Sequence, residues 1–283
     1  MMPTPGLGAD ARRPARRLSL DYLTVSGASP IEHIEAAAAA GFDSVGLRLL
    51  APTDLRLEHE VVGDRRLIRA IAAACRATGI TPLDAEVFFL SPGVDMDRLR
   101  AAADAAAEIG ASSLLAVCMD PDRQRALDGF AALCDMAADG GMTVALEFMR
   151  WSPVPTIEAA VAFIADAGPA NAAVCIDALH LARSGGDPST LPALPSGTLV
   201  QLCDALAAAP PLDQLLAEAR TDRRYPGEGG LPLGRLIAAL PPETPVSVEV
   251  PHRDHAGRTV AERARLAGNA LRSWLDRQAG GEA

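Results

Sequence analysis

Short apolar runs alternate with alanine-rich helical segments along almost the whole chain, and that alternation restricts the fold more than any other feature. A parallel strand cannot reach the start of its neighbour without a crossover, and a helix is the usual crossover. The spacing predicts strands at about Leu18–Tyr22, Ser44–Arg48, Thr81–Glu86, Ser113–Val117, Thr143–Glu147, Ala173–Asp177, Thr198–Leu202 and Val246–Val250. Eight such units point to an α/β chain closed into a single-domain (β/α)8 TIM barrel over residues 18–275, with flexible tails at 1–17 and 276–283. Local punctuation agrees. Helix starts are marked at Ser29-Pro30, Asp120-Pro121 and Pro155-Thr156, and helix ends at Gly41, Gly79, Gly110 and Gly141. After the sixth and seventh strands, Pro and Gly accumulate and the periodicity fades, which predicts long irregular connections of the kind that build substrate sites.

With 283 residues and 49% hydrophobic content, the chain can bury one large core. A net charge of -10 argues against a general affinity for the phosphate backbone, so nucleic acid is excluded as a partner. Five cysteines, odd in number, widely spaced and without a CxxC pair, read as reduced buried thiols of a cytoplasmic protein. Arg12, Arg13, Arg16 and Arg17 precede no apolar segment of the sort a secretory signal needs. No apolar run approaches the roughly 20 residues that span a bilayer, so no membrane partner is expected.

Four of the apolar runs end abruptly on a carboxylate or carboxamide: Glu147 in TVALEFMR, Asp177 in AAVCIDALH, Gln201 in TLVQLCDA and Glu249 in VSVEVPH. A buried parallel strand delivers such a terminal group to the carboxyl end of the barrel. An acid held beside apolar strand costs free energy unless something positive compensates it, and a divalent cation is one such compensator.

Together with GFDSVGLR at 41–48, ALEFM at 145–149, IDALHLARSGGDP at 176–188, VQLCDA at 200–205, RRYPGEGGLPL at 223–233 and VSVEVPH at 246–252, these residues make a chain that resembles the xylose isomerase-like barrel family. That family holds sugar isomerases, ketose epimerases, inosose and dehydroshikimate dehydratases and endonuclease IV. The resemblance implies that Glu147, Asp177, Gln201 and Glu249 ligate one divalent metal. Their hard oxygen donors suit Mn²⁺ or Mg²⁺, with Co²⁺ also compatible. It also implies that Glu147 and Glu249 remove and return a proton beside a carbonyl, on opposite faces of a small polyhydroxylated substrate, through an enediolate. Two departures stand out. The second strand carries Gly46 where many relatives have an inward glutamate, and Gln201 stands where epimerases often have histidine.

His180, three residues after Asp177, is either a proton carrier or a group that orients Asp177. Arg48, Arg150, Arg183 and Arg223 are candidates for binding substrate oxygens through their donor forks, with Arg223 favoured by its place in the RxxPGEG stretch. Glu228 in the same stretch either contacts substrate or forms a plain turn. His252 at the rim is a further substrate contact, more so than His255, and Asp204 is read as support for Gln201. The leading expectation is a metal-dependent isomerase or epimerase. A dehydratase acting on dehydroshikimate or a keto-inositol follows closely, and a non-catalytic or partner-dependent barrel is a third reading. An endonuclease needs more histidine ligands than the five present. A homo-oligomer is expected from the resemblance.

Overall fold

The computed structural model describes residues 16–51, 56–255 and 257–280. Among these, strands β1 (Leu18–Leu20), β2 (Ser44–Arg48), β3 (Thr81–Leu90), β4 (Ser113–Cys118), β5 (Thr143–Glu147), β6 (Ala172–Asp177), β7 (Leu199–Leu202) and β8 (Val246–Val248) close into one barrel in sequence order. Each strand is parallel to its neighbours, and β8 pairs with β1. The single-domain (β/α)8 barrel is therefore the observed fold. Helices α1 (Pro30–Ala39), α2 (Arg65–Thr78), α3 (Met96–Ile109), α4 (Arg123–Asp139), α5 (Ile157–Ala167), α6 (Ala178–Arg183), α7 (Leu215–Thr221), α8 (Leu233–Ala238) and α9 (Val260–Gly280) fill the crossovers and sheathe the strands. No helix among the described residues is long and apolar enough to cross a membrane.

The core has two parts, as the alternation of strand side chains requires. Inside the barrel Leu83, Leu115, Ala145, Ala173, Cys175 and Leu199 form a small apolar plug. Outside it, the other strand face packs on the alanine-rich helix faces, anchored by Phe88, Phe130, Phe148 and Phe163. All five cysteines are buried free thiols.

Helix starts follow the capping residues. Ser29 and Glu32 form a reciprocal capping box with Pro30 in the first turn of α1, and Thr156 caps α5. Asp122, rather than Asp120, caps α4, because Asp120 is drawn to the Arg125 guanidinium at 2.5 and 2.6 Å. Gly79 and Gly110 close α2 and α3 with positive φ of 78° and 90°, which a β-carbon would disfavour. The connections after β6 and β7 are indeed long, and the second of them carries α7 and α8.

Two boundaries need correction. α9 runs to Gly280, so residues 276–280 are helix rather than tail, while 281–283 lie outside the described residues. At the other end residues 1–15 lie outside the described residues, but Arg16 is fastened, with Nη1 donating to the Pro241 carbonyl at 2.8 Å and Nη2 to that of Ile237 at 3.0 Å.

His33 on α1 is buried and bonds through Nε2 to the Leu20 carbonyl at 3.0 Å. Burial chiefly, with the Arg263 charge, pulls its pKa from 6.5 to about 4, against the pull of that bond. An unfolded chain therefore takes up a proton that the folded chain refuses as pH falls from about 6.5 to 4, at a cost of roughly 3 kcal/mol over that window. Glutamine at position 33 keeps a donor but does not titrate. The stability of the native chain relative to His33→Gln should thus fall across that window and be level above it. Urea denaturation at several pH values measures this, and parallel curves would refute it.

Candidate active site

The strand register brings the four expected groups to one end of the barrel. Glu147 closes β5, Asp177 closes β6 opposite Gln201 of β7, and Glu249 follows β8 directly. The same end also holds Asp21 after β1, Arg48 at the end of β2, and Asp84 and Glu86 within β3, all buried or nearly so. Six carboxyl groups thus share two guanidinium groups, Arg48 and Arg223, in one buried layer.

Arg223 is the hub. It reaches the layer from the loop after α7, and its Nη1 donates to Asp177 Oδ2 at 2.5 Å and pairs with Glu249 Oε2 at 2.7 Å. Its Nε donates to the Ala219 carbonyl at 2.8 Å. Asp177 also caps α6, its Oδ1 accepting from the backbone N–H groups of Leu179 and His180 at 2.7 and 3.0 Å. Gln201 donates from Nε2 to Asp21 Oδ2 at 2.8 Å and accepts from the Cys175 thiol at 3.2 Å. Arg48 pairs with Glu86 at 3.3 Å and lies over the Tyr22 ring. His180 Nε2 stands 3.6 Å from Glu147 Oε1, and its ring meets Trp151 edge-on.

Crowding of like charge in a dry layer has the expected consequences. Burial first, then Asp177 and Glu249, raise the Glu147 pKa well above the carboxylate range, against Arg223. Burial also lifts Glu249 to about 7, although Arg223 opposes it. Asp21 is raised by burial and then by Glu249, Glu86 and Asp84, and Asp84 is raised by burial and then by Glu86. Asp177 behaves oppositely: burial is the largest influence, but Arg223, His180 and the capping hydrogen bonds outweigh it and leave Asp177 at about 2. Burial draws His180 down to about 4, so the imidazole is neutral at neutral pH.

These groups floor a cavity of about 390 Å³ whose lining includes Glu86, Glu147, His180, Glu249, Arg48, Arg223 and Arg220. Its walls are apolar, from Val87, Phe89, Leu115, Val117, Met119, Met149 and Trp151. Among the described residues two trios, Glu147–Asp177–His180 and Asp21–Glu86–Glu249, offer ligand atoms within 4.8 Å of one another. Oxygen-rich donors, an imidazole and an excess of carboxyl groups over cations suit a divalent ion. The unpartnered Glu86 Oε1, Asp84 Oδ1 and His180 Nδ1 point the same way.

Other candidates are not brought here. Arg183 is buried against Glu218, with Nε–Oε2 and Nη2–Oε1 contacts of 2.8 and 2.6 Å, and its guanidinium is absent from the cavity lining. Arg150 is exposed outside that lining. Glu228 accepts from the Tyr225 backbone N–H at 3.3 Å, and His252 stands 3.8 Å from Asp222. Neither lines the cavity, so none of these four side chains stands in it in this structure. Asp204 accepts from the N–H groups of Gly227 and Leu231, fastening the PGEGG loop rather than Gln201. Removing one partner of a buried ion pair strands the other. Arg183→Met is accordingly expected to cost about 3–5 kcal/mol in denaturant unfolding, and a loss under about 1 kcal/mol would contradict the pairing.

Sequence reasoning passed over Asp21, Asp84, Glu86 and Arg220. The LSLD and PLDAE segments carry the same signal as the four chosen endings, an apolar run meeting an acid. At the glycine of β2 the structure supplies an acid from next door. A β-carbon on Gly46 would stand 3.0 and 3.2 Å from the two Asp84 carboxyl oxygens and 3.4 Å from Asp21 Oδ2.

A family profile described as a xylose isomerase-like TIM barrel matches residues 34–278. No curated protein matches the chain by sequence. Solved structures with the same fold include a xylose isomerase-like TIM barrel/4-hydroxyphenylpyruvate dioxygenase fusion protein, 23% identical with a TM-score of 0.74. That alignment covers 91% of this chain but only 42% of the fusion protein. An IolI protein with a bound zinc atom is 18% identical, with a TM-score of 0.76 over 93% of this chain and 99% of its own. A D-allulose 3-epimerase from Methylomonas sp., solved with D-allulose, is 18% identical, with a TM-score of 0.64 over 93% and 97%.

Proposed function

The chain belongs to the xylose isomerase-like TIM barrel family, and from that premise we propose that it is a divalent-metal-dependent isomerase or epimerase of a small polyhydroxylated carbonyl compound. The observation that carries this reading is the pair Glu147 and Glu249, two glutamates with raised pKa on strands separated by β6 and β7, both lining one cavity. Two carboxyl groups facing one cavity can take a proton in one step and return it in another. Glu249 fills one of those roles and Glu147 the other.

His180, neutral and with Nε2 3.6 Å from Glu147 Oε1, offers a hydrogen bond to a substrate oxygen beside Glu147. Arg48 and Arg223 line the cavity and orient electron-rich oxygens, while the apolar walls keep bulk water from the carbon that loses its proton. The metal would be held by Glu147, Asp177, Gln201 and Glu249, with Mn²⁺ or Mg²⁺ favoured. Bound there, it would polarise the substrate carbonyl and make the adjacent C–H more acidic.

A second reading, dehydration of a cyclic keto acid, is favoured by one feature. Arg48, Arg220 and Arg223 share the lining with ten apolar side chains, which suits a ring bearing a carboxylate better than an open polyol. Both reactions begin with the same proton abstraction. Exchange of substrate protons with D₂O, followed by NMR across ketoses, inososes and dehydroshikimate with and without Mn²⁺, tests both. Metal-dependent exchange supports the enolising site, and its substrate separates isomerase from dehydratase. No exchange with any compound, metal present, would remove the catalytic reading and leave a binding barrel.

A further inference from the structure

Arg223 lies where a cation held jointly by Asp177 and Glu249 would make its contacts. One nitrogen, Nη1, stands 2.5 Å from Asp177 Oδ2 and 2.7 Å from Glu249 Oε2. The guanidinium is not a side chain that happens to stray inward. Its Nε is fixed to the Ala219 carbonyl at 2.8 Å, and its backbone N–H donates to the Pro251 carbonyl at 3.1 Å beside the end of β8. Gln201 is engaged as well, through Asp21 and Cys175. Of the four side chains proposed as metal ligands, three are thus held by partners within the protein, while the Glu147 carboxyl stands 3.6 Å from His180 Nε2.

A guanidinium and a divalent ion drawn to the same oxygens of these two carboxylates repel each other strongly in a dry layer. We infer that the Arg223 guanidinium is a built-in competitor of the divalent ion: arginine and metal are alternative occupants of the Asp177–Glu249 pair. This rests on the reading of Asp177 and Glu249 as metal ligands. In one state Arg223 neutralises the pair and the barrel mouth is stable without an ion. In the other, the ion takes the carboxylates and Nη1 is released toward the cavity that Arg223 already lines. The apparent metal affinity is then the intrinsic affinity multiplied by the fraction of molecules in which Arg223 has let go.

Isothermal titration of the full chain with Mn²⁺ and with Mg²⁺ tests this in the native protein and in Arg223→Met, which keeps the volume and drops the charge. If Arg223 occupies the pair in about 90–99% of molecules, Arg223→Met gains about 10–100-fold in affinity. The variant should also melt lower than the native chain without added metal and recover when metal is added. Equal affinity in the two proteins overturns the competition while leaving the metal reading intact. Weaker binding by the variant overturns it too, because Arg223 would then support the metal. No binding by either protein at millimolar metal removes the metal reading itself and the competition with it. The native chain supplies an independent check that needs no variant to fold. The Arg223 Nε–H, shielded by its bond to Ala219, should lose its protection from solvent exchange as Mg²⁺ is titrated in. An Nε–H unchanged at metal saturation contradicts the inference.

Discussion

Glutamine in place of Glu147 is expected to lower turnover about 10²–10⁴-fold while raising the melting temperature of the metal-depleted protein. Glutamine preserves shape but cannot accept a proton from carbon, so the loss should fall on the chemical step. The gain in stability comes from the same residue seen from the folding side. Folding raises the Glu147 pKa above its ordinary 4.5, through burial first and then Asp177 and Glu249. The ionised form therefore costs stability above that ordinary value, and less as pH falls and the folded group takes up its proton. The advantage of Glu147→Gln, on the order of 1–2 kcal/mol, should accordingly widen from pH 5 to pH 8. Melting curves at both pH values and turnover of the substrate identified by exchange measure the two effects. A variant that keeps turnover within about tenfold would take Glu147 out of the proton transfer. A variant that melts lower would mean that the carboxylate is already compensated.

Asp177 should behave in the opposite way, as a group whose removal the fold resists. Its two oxygens do different work: Oδ1 caps α6 and Oδ2 holds Arg223. Alanine leaves a buried guanidinium with Glu249 as its one remaining carboxylate among the described residues, at a cost of about 3–5 kcal/mol, and a cap lost besides costs about 1 kcal/mol more. Asparagine keeps an acceptor for the backbone N–H groups and drops the charge. The difference between Asp177→Ala and Asp177→Asn in urea unfolding should therefore be near the cap alone. Equal losses would show that the capping bonds contribute nothing, and a loss under about 1 kcal/mol from alanine would deny the ion pair its role.

Strand positions were legible because periodicity and strand-end punctuation are local, and β2, β5 and β6 fall within a residue of their expected places. The expected third strand ends at Glu86, whereas VFFL carries β3 on to Leu90. Single groups at strand ends were legible for the same reason, and His180 followed from its spacing to Asp177. What spacing could not convey was the through-space assembly. Arg223 sits 46 residues from Asp177 and reaches it only because the long connection after β7 folds back over the barrel mouth. Arg183 sits six residues after Asp177, yet its side chain is claimed by Glu218 on α7, whose approach no local pattern announces. Gln201 also holds Asp21, because closure of the barrel leaves only β8 between β7 and β1.

The glycine of β2 and the aspartate of β3 share one small volume. The volume that a side chain at 46 would need already belongs to the Asp84 carboxyl, with Asp21 close behind. A side chain at 46 therefore requires the Asp84 carboxyl to give way. Restoring glutamate at 46 by itself would force two carboxylates into one space, whereas the same change made together with a shortened residue at 84 moves the charge across one strand and leaves the total unaltered. Lineages that differ at this place should therefore differ at both positions or at neither, and the intermediate carrying only one of the changes is the form that natural variation should lack.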